Sequence, residues 1–184
     1  KLAHSLVPEN NMGDTPQQAT ERRAEFLTEY QNAAYASRYR HSLSGFNAAL
    51  PDDAPQDLNH AAARSLFRLM AVKDEYEVAR LLTRPEFTDS LQDQFDGDFA
   101  VSYHLAPPVF SSRKDAQGRP RKRRFGAWLT LALKALAALK PLRGSVFDPF
   151  GYHGEARLHR ELLTWYDELL PKIATAWSPE THDT

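Results

Sequence analysis

A chain of 184 residues, 42% hydrophobic and 26% charged, is long enough to bury a core and ordinary enough in composition to be globular. Its formal net charge of -1 argues against nucleic acid or an anionic membrane as a partner. With no cysteine, the chain cannot by itself form disulfides, a thiolate zinc site, a cysteine nucleophile or an iron–sulfur cluster, a composition that fits the cytoplasm.

The chain opens on Lys1 without the long apolar stretch of a signal peptide, and so reads as part of something longer. Residues 1–15 read as a linker or arm, 16–177 as a helical domain and 178–184 as a polar tail. Thr15-Pro16 has the composition of a helix start, with a hydroxyl cap and proline in the first turn. From 16 to 50 the pattern is helical, with Phe26, Tyr30, Ala33 and Ala34 on one face and Gly45 a candidate break. After the loop at 51–55, a second helix is expected over 56–82, with Leu66, Met70, Leu81 and Leu82 on its apolar side. Thr83-Arg84-Pro85 stops or kinks it, and a short helix follows over 86–95.

Phe99, Val101 and Tyr103 then alternate with small or polar residues, the period of a strand. A turn at Gln117-Gly118 and a return strand over 121–125 complete a small hairpin. Residues 126–140 are the most apolar segment, with Leu129, Leu133 and Leu136 on one face, and too short for the roughly 20 residues of a membrane helix. The segment is expected as the central core helix. A Pro-, Gly- and Phe-rich loop leads to a last helix, ending near Trp177, with Leu158, Leu162, Trp165 and Leu169 on one face and a possible kink at Pro171. The fold class expected is mainly α (α+β), a helical domain with one small antiparallel hairpin.

Chemistry-bearing patterns are sparse. His153, Glu155 and His159 lack the spacing of a zincin motif, and a solvated helix start explains them as well. The run Arg119, Arg121, Lys122, Arg123 and Arg124 is either a charge-protected strand edge or a docking patch for an acidic protein. Lys73, Asp74, Tyr76 and Glu77 form a charge-dense stretch that Arg80 follows; it is a surface lattice, or places Asp74 or Glu77 inward as an ion pair against the hairpin or the basic run. His104, after the first strand, is a packing residue or, in the rival reading, a catalyst with Asp74 or Glu77. No catalytic, cofactor-binding or metal residue is assigned. A different rival is a self-contained regulatory or ligand-binding module, which requires a concave pocket with convergent polar groups.

Stretches 26–39 (FLTEYQNAAYASRY), 66–82 (LFRLMAVKDEYEVARLL), 103–108 (YHLAPP), 118–126 (GRPRKRRFG) and 139–151 (LKPLRG leading to FDPFG) occur in an order that resembles the C-terminal domain of bacterial fused indolepyruvate ferredoxin oxidoreductases. The resemblance spans roughly residues 20–170. It implies a non-catalytic accessory or assembly domain of a parent 2-oxoacid:ferredoxin oxidoreductase. Thiamine diphosphate, magnesium, an iron–sulfur cluster and coenzyme A would belong to upstream domains. The partners implied are those domains, ferredoxin and further copies of the parent, with no nucleic acid and no membrane.

Overall fold

A computed structural model describes residues 15–97, 100–105 and 123–178. The elements run α1 (Pro16–Tyr30), α2 (Ala33–Ala49), α3 (Gln56–Met70), α4 (Glu75–Thr83), α5 (Pro85–Gln92), β1 (Tyr103–Leu105), β2 (Arg123–Phe125), α6 (Leu129–Ala138) and α7 (Gly154–Ala176), with a 3₁₀ turn at Lys140–Leu142. Among the described residues the fold is mainly helical with one antiparallel two-stranded sheet, as expected. Among the described residues no helix is long and apolar enough to cross a membrane. The chain divides into two units, one built from Lys1–Val72 with Pro141–Thr184 and the other from Lys73–Lys140.

In the first unit, α1 starts where Thr15-Pro16 placed it. The Thr15 hydroxyl accepts from the Gln18 amide and the Gln18 side chain accepts from the Thr15 amide, a reciprocal capping box. The expected helix over 16–50 is two helices. Asn32 ends the first by capping the second, its side chain accepting from Tyr35 N–H at 2.9 Å. Gly45, a candidate break, lies inside α2.

Leu27, Tyr30, Tyr39, Leu66, Met70 and Leu170 fill the core shared by α1, α2, α3 and α7. Phe26 meets Phe67 edge-on at 5.5 Å and Tyr39 meets the same ring at 6.4 Å. The tyrosine hydroxyls turn toward α3. Tyr30 donates to the Val72 carbonyl at 2.9 Å, Tyr35 to Met70 at 3.1 Å, Tyr39 to Ala63 at 3.0 Å and Tyr166 to Ala62 at 3.4 Å. The His159 ring nitrogen bonds the Leu69 carbonyl. The Leu69 and Met70 carbonyls at the end of α3 lack partners in their own helix, and side chains from α7 and α2 supply them, while Tyr30 of α1 bonds Val72 just beyond the helix.

The second unit corrects two expectations. The helix expected over 56–82 stops at Met70, and α4 begins afresh with Asp74 as its cap, accepting from Glu77 N–H at 2.8 Å. The apolar α6 is not the central core helix. It packs on α4 in a small separate cluster with the hairpin, and within α6 itself only Leu133 is fully buried while Leu131 stays 76% exposed. Tyr103 of β1 and Thr130 of α6 share a hydroxyl hydrogen bond at 3.0 Å. Inside α4, Glu77 and Arg80 make a buried bidentate ion pair with both contacts at 2.8 Å.

Two tests follow from these buried polar groups. Tyr39→Phe leaves the Ala63 carbonyl without that donor and should cost about 1 kcal/mol in urea unfolding. Burial also pushes the Tyr39 phenol up to about 12 from its ordinary 10.0. Above pH 10 the unfolded chain releases this proton while the folded chain keeps it. The stability it contributes is therefore complete below pH 10 and is lost as pH rises toward 12. The phenylalanine variant should lose less stability between pH 9 and pH 11.5 than the wild type. Separately, Glu77→Ala strands a buried guanidinium and should destabilise by about 3 kcal/mol, with Glu77→Gln milder, both read from urea midpoints.

Candidate docking surface

The residues singled out in the sequence do not assemble into one site. Lys73 is exposed, Asp74 caps α4, Tyr76 is buried, and Glu77 is spent on Arg80. The inward ion pair is therefore Glu77 with its own helix neighbour. His104 is exposed on β1, opposite Arg124 in the hairpin register. Arg123 and Arg124 are exposed on β2, and the Arg124 guanidinium donates to the Ser102 hydroxyl at 3.2 Å. Arg119, Arg121, Lys122 and the Gln117-Gly118 turn lie outside the described residues. His153 and Glu155 are exposed at the start of α7 while His159 turns to α3. Among the described residues no group of His, Asp and Glu is placed to hold a metal ion.

The structure instead builds a surface that sequence reasoning passed over as a turn. Its foundation is Arg143. This guanidinium donates to the Tyr30 carbonyl, the last of α1, at 2.7 Å and stacks over the Tyr30 ring at 3.7 Å. Gln31 returns a bond to the Arg143 carbonyl at 3.3 Å. Gly144 then takes a φ of +74°, which other residues rarely adopt.

Asp148, only 4% exposed, is the centre of the loop. One carboxylate oxygen accepts from Gly144 N–H at 2.8 Å and the other from Phe150 N–H at 3.0 Å. Gly151 packs so tightly on Asp148 that a Cβ there would lie 3.0 Å from its Oδ2. Arg160, on α7, closes the loop by donating to the Gly151 carbonyl at 2.8 Å.

This polar frame holds an apolar crest in solvent. Val146 and Phe147 are each 77% exposed, and Tyr152 is exposed while its hydroxyl fastens to the Val146 carbonyl at 2.7 Å. The crest runs into α7, which is apolar on two sides. Leu163, Leu170 and Ala174 are buried, with Tyr166 and Ile173 packed beside them. Of the face expected from the spacing, Leu158, Leu162 and Trp165 are exposed and Leu169 is half-buried. Isolated surface leucines are unremarkable, whereas several large apolar groups exposed on a hydrogen-bonded support make this the candidate surface. The readable signal was an aspartate among apolar residues in a Pro/Gly loop, followed by a helix with two apolar faces.

Residues 16–184 match a family of unknown function, DUF6537, and the chain belongs to it. No curated protein and no solved structure matches the chain.

Replacing Asp148 by Ala removes the acceptor for two loop amides and should cost about 2 kcal/mol. Amide exchange at Gly144 and Phe150 should accelerate well beyond that at the core of α3, and Asp148→Asn, which keeps one oxygen, should fall between.

Proposed function

We propose that the chain is a docking domain within a larger cytoplasmic 2-oxoacid:ferredoxin oxidoreductase of the indolepyruvate type, without catalytic groups of its own. Thiamine diphosphate, magnesium, the iron–sulfur cluster and coenzyme A would be held by the parent's other domains. The observation that carries this reading is the exposed apolar crest at Val146, Phe147 and Tyr152, followed along the chain by the exposed Leu158, Leu162 and Trp165 of α7. The ordered sequence resemblance supplies the parent, and its catalytic body is the occupant we assign to the crest. A rigid loop meets a partner with little ordering entropy left to lose, which suits an anchor. The absence of cysteine fits a domain that leaves cluster ligation to another part of the polypeptide.

Adding the chain to a parent polypeptide lacking this segment, followed by size-exclusion chromatography, tests the reading. A stoichiometric complex is expected. The double change Phe147→Ser and Trp165→Ser should weaken it at least tenfold, since lost aromatic anchors cost about 2 kcal/mol or more, while leaving the melting temperature unchanged. Self-association through the same residues without binding the body would replace the reading with one of assembly between copies. A monomer indifferent to the body, or a native gene product no longer than this chain, would overturn it.

A further inference from the structure

Helix α7 is fixed against rotation on both of its margins. On one, Asp167 accepts from the Arg38 guanidinium at 2.6 Å and from the Ser42 hydroxyl at 3.0 Å, both on α2. On the other, the Tyr166 hydroxyl donates to the Ala62 carbonyl of α3 and the His159 ring bonds the Leu69 carbonyl. Between these margins Leu163, Leu170 and Ala174 are buried against α2 and α3. Rolling the helix to cover its opposite face would break bonds on both sides and lift the three buried residues from the core, so that face is held toward solvent.

The outward face has the spacing of a two-helix seam. Leu158, Leu162, Trp165 and Leu169 follow steps of four, three and four residues, the repeat that receives a second helix rather than a flat surface or a small molecule. The first three are exposed and Leu169 is half-buried. Two carboxylates flank the middle of this stripe. Glu161 and Glu168, seven residues apart and so on one side of it, are exposed, and neither carboxylate has an ion pair or hydrogen bond among the described residues. Arg157 and Lys172 are exposed one turn further out on that side, so the charges run positive, negative, negative, positive along the helix.

That order decides between partners. In an antiparallel pair of two copies, Leu162 meets Trp165 of the second copy, which brings Glu161 against Glu168 and Arg157 against Lys172, every pair alike in sign. In a parallel pair Glu161 meets Tyr166 and gains no ion pair. A different helix, with basic residues beside the middle of its apolar stripe, satisfies both carboxylates in either direction.

We propose that α7 binds an amphipathic helix bearing lysine or arginine beside the middle of its apolar stripe, in a two-helix seam centred on Leu162 and Trp165. This rests on the docking reading for the source of that helix, the parent's catalytic body; the chemistry of the seam comes from α7 alone.

Titration of the full chain with two synthetic peptides of about three heptads is the test. Both carry leucine at the seam positions, one with lysine and the other with glutamate at the flanking positions, and binding is followed by calorimetry and amide chemical shifts. The lysine peptide should saturate with a Kd below about 100 μM and shift the amides of residues 157–172 most. The glutamate peptide should bind about tenfold more weakly. Glu161→Lys with Glu168→Lys should reverse that order, and Leu162→Asp should abolish binding of both peptides with the melting temperature unchanged. The same pair of lysine substitutions should weaken the complex with the parent body about tenfold. No saturation, equal affinity for the two peptides, or binding that survives Leu162→Asp would overturn the proposal. So would a dimer of the chain that forms through Leu162 and excludes the peptide. A complex with the parent body that needs Phe147 and Trp165 yet ignores the charge reversal would overturn it and leave the docking reading standing. Lysine-peptide binding at α7 without any complex with the body would support the seam and overturn the docking reading alone.

Discussion

The first unit depends on how the end of α3 is satisfied. That helix stops at Met70 without a glycine to close it, and its last carbonyls have no partner within the helix. Tyr35 from α2 and His159 from α7 bind the Met70 and Leu69 carbonyls, and Tyr30 from α1 binds that of Val72 just past the helix. Every neighbouring helix thus contributes a polar contact at the same place where its apolar face meets the core. The aromatic bodies bury surface while the hydroxyls set position, which burial alone leaves loose.

The same logic, inverted, produces the exposed apolar crest. In the core, polar groups orient apolar ones inward; in the loop between Arg143 and Tyr152, a buried carboxylate and two arginines hold apolar groups outward. The two systems share Tyr30, whose hydroxyl reaches the end of α3 while its carbonyl and ring receive Arg143. The crest is consequently fastened to the best-packed part of the unit. The second unit is stabilised on a smaller scale, by the Asp74 cap, the Glu77–Arg80 pair and a modest cluster around Ala79, Tyr103 and Leu133. It too leaves apolar surface uncovered, at Trp128 and Leu131.

Local chemistry was legible without the structure. Thr15-Pro16 announced the start of α1 because a capping hydroxyl and a first-turn proline act on adjacent backbone alone. Val101 and Tyr103 announced the hairpin because alternation is a property of the strand itself. The breaks at Asn32 and Asp74 were written in the same code, yet helical periodicity on both sides masked them, and each became clear only through the amide its side chain accepts.

By itself the sequence determined which segments are helical, where the hairpin lies, and which helix faces are apolar, since these follow from spacing along the backbone. Tertiary structure alone decided which apolar faces are covered. Helix α7 offers two, and the one bearing Leu163 and Leu170 fits against α3 and α2 while the one bearing Leu158 and Trp165 does not. Helix α6, the most apolar of all, lies in the smaller cluster rather than at the centre. Periodicity records that a face avoids water, but its cover comes from residues distant in the chain, and only packing among them settles which face is buried.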